Sequence, residues 1–372
     1  MRERDVVVIG GGPAGLATAI HAAHHGLTVT VCDSRRPPID KACGEGILGA
    51  GVVSLERIGL RPSSLGRRVA GIRYLAAGAT AEARFPPDRA GLGVRRTRLH
   101  AALVTAAEAA GVELEWGCRA AGLSERGVRT AGGELTARFV VGADGLHSQV
   151  RRWAGLASPP ACRQRFGLRR HFHVAPWTDH VEVHWALGCE AYVTPVGDDE
   201  VGVAFLWSAR LGGFEDLLNR VPALASRLAG ARVASEERGS GPFEQRVRGA
   251  VAGHVALVGD AAGYVDAITG EGLGIAFLEA EALGSALAAG DLTAYARASR
   301  RIRRRPERLA RLLLTVDGSP RLRRSLVPFL AAWPRAFARL LAAPPPNGVS
   351  ARSSRSDRRQ VAAGAAADRG TP

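Results

Sequence analysis

Six residues near the start, Gly10-x-Gly12-x-x-Gly15, constrain this chain more than any other feature. They follow the β-branched run Val6-Val7-Val8-Ile9 and open an Ala-rich stretch that closes at Gly26, after which a second run leads from Thr28 to Asp33. A strand, a glycine turn, a helix ended by a glycine and another strand make one βαβ unit, the start of a parallel sheet. In that context the glycines read as a dinucleotide fingerprint. Gly10 permits the tight turn, Gly12 lets a pyrophosphate approach the backbone, and Gly15 lets helix and strand come close. Pro13 and Ala14 begin the helix, whose N-terminus offers amide donors and positive potential to phosphates. Asp33, 18 residues after Gly15, stands where a carboxylate accepts from ribose hydroxyls and repels a 2′-phosphate, which disfavours NADP. NAD and FAD both stay open on this motif.

Two more apolar runs, Phe139-Val140-Val141 and Val255 to Val258, end in Gly-x-Asp and Gly-Asp steps and are expected in the same sheet. Between them, residues 163–207 alternate apolar and polar with short turns, the period of an antiparallel sheet. The first domain is therefore expected to be discontinuous, over 1–65, 95–160 and 245–296. A covering β-sheet domain takes 66–94 and 161–244, and Arg-rich helices take 297–343. Residues 344–372 hold few large apolar groups, cannot offset the entropy of ordering, and are expected to be disordered.

The 372 residues, 46% hydrophobic, suit packed domains and exclude a disordered or disulfide-stapled chain. The net charge of +15 is uneven: from Arg297 onward 18 arginines face four acidic residues, so the preceding body is nearly neutral. Five scattered cysteines give neither a disulfide framework nor a zinc site, and the histidine and acid spacings give no metal. Without a signal peptide or a long uncharged apolar run, a cytoplasmic location is expected. Of the 50 basic residues, 49 are arginine; the single lysine is Lys41.

The run from Val140 to Arg151, with Gly142-Ala143-Asp144-Gly145, and the run Val258-Gly259-Asp260-Ala261-Ala262-Gly263 resemble the second and third motifs of flavoprotein aromatic hydroxylases and their relatives. All three motifs occur in that family's order from Asp5 to about Gly290. The resemblance implies an α/β fold, a glutathione-reductase-type FAD domain carrying an inserted antiparallel sheet. It also implies FAD as cofactor, with NADH or NADPH visiting as a transient donor, since no second nucleotide fingerprint is present. Carried over, Asp260 beside Gly259 becomes the partner of the ribityl chain, and Asp144, Gly145, Ser148 and Arg151 the middle motif. Arg96 becomes a cofactor contact, with a solvated helix-start charge as the alternative. Gly270, Glu271 and Gly272 would open a helix toward the flavin's pyrimidine end, where the dipole stabilises negative charge on the reduced ring.

After Gly259-Asp260 the hydroxylases usually place a His and a Pro that are missing here; Gly263 and Asp266 to Gly272 are closer to the geranylgeranyl reductase branch. The stretch Asp40-Lys41-Ala42-Cys43-Gly44-Glu45-Gly46 also resembles that branch. Lys41 offers a compact charge on a thin stem, suited to a crowded phosphate or flavin site. Cys43 reads as a small cofactor neighbour in preference to a redox thiol. The six tryptophans contain no pair separated by one residue, which disfavours a halogenase.

The inserted sheet supplies Arg170, His171, His184 and Tyr192 as pocket candidates over the flavin, with no catalytic residue assigned. The Arg-rich segment reads first as a solvated helical face and second as a peripheral membrane contact; no nucleic acid partner is expected. Hydroxylation of a hydrophobic phenolic or polyketide-like molecule, using O2 and reduced nicotinamide, is preferred because the insert is short for a long polyprenyl tunnel. Reduction of prenyl chains or quinones is the alternative, and a non-catalytic flavin-fold binding protein the third.

Overall fold

The computed structural model describes residues 4–76, 78–159, 163–208 and 212–342; the tail expected to be disordered, 344–372, lies outside them. Strand Arg4–Ile9 sits inside an 8-stranded sheet whose main path runs Val251–Ala252, Val255–Leu257, Gly133–Gly142, Arg4–Ile9, Val29–Asp33, Glu113–Trp116. The pairs from Val255–Leu257 to Glu113–Trp116 are parallel. Val6, Val7 and Val8 are all buried although side chains alternate faces, because both faces are covered. Helices Pro13–His24, Arg96–Ala109 and Gly272–Ala289 cover one face. The antiparallel ribbon Ala120–Ser124 and Gly127–Thr130 helps cover the other.

A second 8-stranded sheet follows the order Arg232–Val233, Phe166–His173, Glu200–Trp207, Cys189–Pro195, His180–Ala186, Gly71–Ala76, Ala79–Arg84. It corrects the expectation of a purely antiparallel sheet at one place: His180–Ala186 runs parallel to Gly71–Ala76. The physical reason is connection length, since these strands are joined through more than a hundred residues, which include the first-domain segment 95–160, and not by a hairpin. A small sheet of Gly46–Ile47, Gly91–Gly93 and Arg67–Val69 lies where the chain passes between the two.

Three helices close the described chain, Leu292–Asp317, Pro320–Ala332 and Pro334–Ala342. Val327 and Phe337 of the last two join Tyr74, Trp185 and Ile268 in one apolar cluster against the second sheet. A buried ionic network fixes the junction. The Arg165 guanidinium reaches Glu190 at 2.6 Å, Asp317 at 2.8 Å and Asp266 at 2.9 Å, and Arg323 pairs with Asp317 from the other side. Burial pushes the Glu190 carboxyl up to about 8, against the pull of Arg165. Helix Gly272–Ala289 is long and apolar enough to cross a membrane. Its buried Phe277 and Leu283 and the buried Glu279 ion pair make it a core helix between the sheet and Leu292–Asp317.

Candidate functional site

A cavity of about 630 Å³ runs from the glycine turn to the underside of the second sheet. At its nucleotide end the turn behaves as the fingerprint requires. Gly10 has φ +112°, and a Cβ there would meet the Ala143 carbonyl oxygen at 2.3 Å; on Gly15 it would lie 1.9 Å from the Gly10 oxygen. Gly15 therefore serves packing beneath the site, while Gly10, Gly12, Pro13 and Ala14 line the cavity. Asp33 lines it too, with one carboxylate oxygen accepting the Gly11 amide at 2.9 Å and the other the Arg35 amide at 2.8 Å. Each oxygen keeps a second lone pair for a ligand. Buried His100, which the sequence did not single out, reaches the Gly11 carbonyl at 2.8 Å and braces the turn from behind.

Arg96 is on the cavity side of its helix, its guanidinium 3.7 Å from where a Gly12 Cβ would stand. Its Nε is buried and without a hydrogen-bond partner. Neighbouring Arg95 and Arg98 turn away, to Glu200 and to the Leu65 carbonyl.

The two aspartates that end strands have different surroundings. Asp144 accepts from Ser148 Oγ at 2.5 Å and from the amides of Gln149 at 2.6 Å and Val150 at 3.1 Å, so its carboxylate caps helix Gln149–Trp153. Ser148 accepts the Arg151 amide at 2.9 Å in the same cap. Asp260 faces Lys41 Nζ at 3.6 Å, and both line the cavity, as do Asp144, Gly145 and Gly259. Arg151 links the two turns: it is buried and donates to the carbonyls of Leu146 at 2.8 Å, Ala261 at 3.1 Å and Asp260 at 3.3 Å.

The turn carrying Asp260 has a second support that contradicts a uniformly solvated arginine face. Arg303, from the Arg-rich helix, is buried and pairs with both oxygens of Glu279 at 2.6 and 2.7 Å. It also donates to the carbonyls of Gly259 and Gly263 at 2.6 Å each. Glu279 in turn accepts the Gly259 amide at 3.0 Å. The helix periodicity could have pointed to Arg303, because it shares a face with the apolar Tyr295, Ile302 and Ala310.

Cys43 and Gly44 line the cavity, and burial pushes the Cys43 thiol up, which keeps it protonated and unreactive. Gly270 and Gly272 line it where helix Gly272–Ala289 begins. Glu271 does not; its Oε2 is buried without a partner and burial raises the carboxyl.

Of the four pocket candidates, Tyr192 lines the cavity and donates to the Ile268 carbonyl at 2.8 Å. Arg170 is a correction. It points to the opposite side of the sheet, where it pairs with Glu215 and Glu237 and covers the Phe214 ring at 4.2 Å. Alternation puts Arg169 on the cavity side in its place. His184 likewise turns away, to Glu182 at 3.4 Å, while Val181 and Val183 face the cavity. His171 is on the inner face but fully buried behind the lining, with Nε2 at 2.5 Å from Glu45 and Nδ1 at 2.7 Å from Ser235. Glu45 has φ +58°, unique among the described non-glycine residues, and also caps helix Arg96–Ala109 through the Arg96 amide at 2.7 Å. The four described cysteines are free thiols, and no metal-binding cluster occurs among the described residues.

The cavity thus offers a glycine cradle, an unpartnered guanidinium beside it, the Asp33 carboxylate and a helix N-terminus, a set that fits a dinucleotide with an anionic middle. A family profile described as FAD binding domain matches residues 3–193. Digeranylgeranylglycerophospholipid reductase 1 of Methanopyrus kandleri is 30% identical over 296 residues, 74% of this chain and 78% of that protein. Menaquinone reductase of Mycobacterium tuberculosis is 28% identical over 308 residues, 72% of each chain. Among solved structures, a geranylgeranyl bacteriochlorophyll reductase-like protein from Thermoplasma acidophilum superposes with TM-score 0.75 at 22% identity, covering 89% of this chain and 92% of the other. A 2-methyl-3-hydroxypyridine-5-carboxylic acid oxygenase does so with TM-score 0.71 at 22% identity, over 83% and 90%. At such identity both show the fold alone. The profile and the Methanopyrus relative together place this chain in the FAD-binding-domain family, within the superfamily of FAD monooxygenases and geranylgeranyl reductases, as an FAD-dependent oxidoreductase.

Proposed function

We propose that this oxidoreductase is a reductase of an isoprenoid lipid or prenylated quinone, with NADH or NADPH as electron source. One observation carries the reading: the Gly270–Gly272 helix opening shares its cavity with an apolar wall of Ile72, Tyr74, Val183, Leu206 and Phe243. Such a wall rewards burial of hydrocarbon at about 25 cal/mol per Å² and offers few groups to orient a polar ring. The curated relatives quoted above are named as reductases of isoprenoid-bearing molecules, which supports the same choice.

In this reading Gly12 and Arg96 receive the cofactor's phosphates, Asp33 its ribose, and Asp260 with Lys41 its ribityl chain. When bound, FAD supplies the two-electron transfer between the nicotinamide and the substrate. Saturating a double bond takes a hydride and a proton, and the chain itself holds the proton. Tyr264 Oη lies 3.6 Å from the position of a Gly272 Cβ, and burial keeps the phenol protonated. The hydroxyl of Tyr192, by contrast, is committed to the Ile268 carbonyl at 2.8 Å. In this reading Tyr264 is the phenol that holds a proton beside the helix opening.

The test follows reoxidation of the reduced, FAD-loaded protein under argon with a prenylated quinone or geranylgeranylated phospholipid. Substrate-dependent reoxidation without oxygen is expected, slowed about a hundredfold or more in Tyr264→Phe. Reoxidation that needs air and puts oxygen into a phenolic substrate would overturn it in favour of hydroxylation.

A further inference from the structure

The C-terminal helices have an inner and an outer side of unlike chemistry. On Pro320–Ala332 the inner side carries Val327, with Leu326 and Leu330 partly buried against the second sheet. The outer side leaves Leu322 49%, Phe329 59% and, at the helix end, Trp333 60% exposed. Spacings of seven and four residues put these three on one stripe of the helix. An apolar stripe with a tryptophan at its end costs free energy in water and needs a partner with an apolar interior and a wet boundary.

The charge around the stripe names that partner. Arg321 is exposed next to it, Arg324 is exposed farther around the same helix and Arg335 just past its end, and Arg301, Arg304 and Arg308 are exposed on the preceding helix Leu292–Asp317. Glu307 and Asp317 are the acidic residues of these helices, and both are paired with arginine. These helices therefore present arginine without unpaired acid of their own. We infer that this stripe docks on an anionic lipid bilayer, with Leu322, Phe329 and Trp333 entering the interface and the arginines meeting lipid phosphates. The same helices reach the cavity wall from their inner side: Phe337 meets Tyr74 edge-on at 5.6 Å, and Tyr74 lines the cavity. Docking would bring the apolar end of the cavity within one helical layer of the lipid. The inference does not depend on which reaction the cavity performs.

Flotation of the full-length, FAD-loaded protein with vesicles tests it, using phosphatidylcholine alone and phosphatidylcholine with about 30% phosphatidylglycerol. Binding is expected to the anionic vesicles and to weaken as salt shortens the screening length. Phe329→Ser/Trp333→Ser should lower partitioning about tenfold or more, and Arg321→Gln/Arg324→Gln about tenfold. Bound flavin absorbance shows that each variant is folded. Brominated lipid should quench a share of the emission that Trp333→Phe removes. Absence of flotation, or flotation unchanged in the Phe329/Trp333 variant, would overturn the inference. So would a concentration-dependent dimer that this variant dissolves without any vesicle binding, since the stripe would then be a face between two copies.

Discussion

The turns at Asp144 and Asp260 look alike in sequence, each a glycine-rich step at the end of a buried strand, and both line the cavity, yet their carboxylates have different partners. Asp144 spends its carboxylate on Ser148 and on the amides of Gln149 and Val150. Asp260 contributes its backbone to the scaffold, through Arg151 and the neighbouring Arg303 bonds, and leaves its carboxylate facing Lys41 and the cavity. The difference teaches that a ligand-facing side chain needs a backbone already held by others. Otherwise the carboxylate turns inward to satisfy orphan amides at the helix start.

The hardest way to break this contrast is to remove the support behind Asp260. Arg303→Met leaves Glu279 buried without its partner, and a loss of about 3–5 kcal/mol in unfolding free energy by denaturant titration is expected, together with loss of FAD. Next, Asp260→Ala removes only the outward carboxylate. FAD affinity measured by flavin fluorescence should fall about tenfold to a hundredfold with the flavin-free protein's melting temperature unchanged. Unchanged affinity would contradict its role. Asp144→Ala should show the reverse pattern, a stability loss of about 1–2 kcal/mol with FAD affinity of the folded protein preserved.

The smallest effect concerns the Arg165 junction. Glu190 stands at about 8 in the folded chain, above its ordinary value of 4.5, so folding favours its protonated form. Its contribution is fully present below pH about 4.5 and is lost as pH rises to about 8. Thermal melts between pH 5 and 8.5 should therefore flatten in Glu190→Gln relative to the unmodified chain. An identical slope would show that Asp266, whose carboxyl burial also raises, takes up the proton instead.

The glycine fingerprint, Asp33 and the order of the three motifs were legible because each depends on neighbours within a few positions and on a backbone geometry that few residues permit. The face of a strand was less so. Arg169 and Arg170 are adjacent, and only the pairing of Phe166–His173 with Glu200–Trp207 decides which reaches the cavity. Glu45 and His171 are separated by 126 residues yet meet at 2.5 Å, and nothing in the local pattern of either announces the other.

By itself, then, the sequence determined a βαβ nucleotide turn, a broken first domain and an inserted sheet, since periodicity and glycine stereochemistry act locally. The tertiary structure alone decided which of two cavity-lining aspartates keeps its carboxylate off the backbone amides, which arginine of a basic run is buried, and which side chains share the cavity. Those outcomes rest on register and on competition for buried hydrogen-bond partners, quantities that exist only once distant segments have come together.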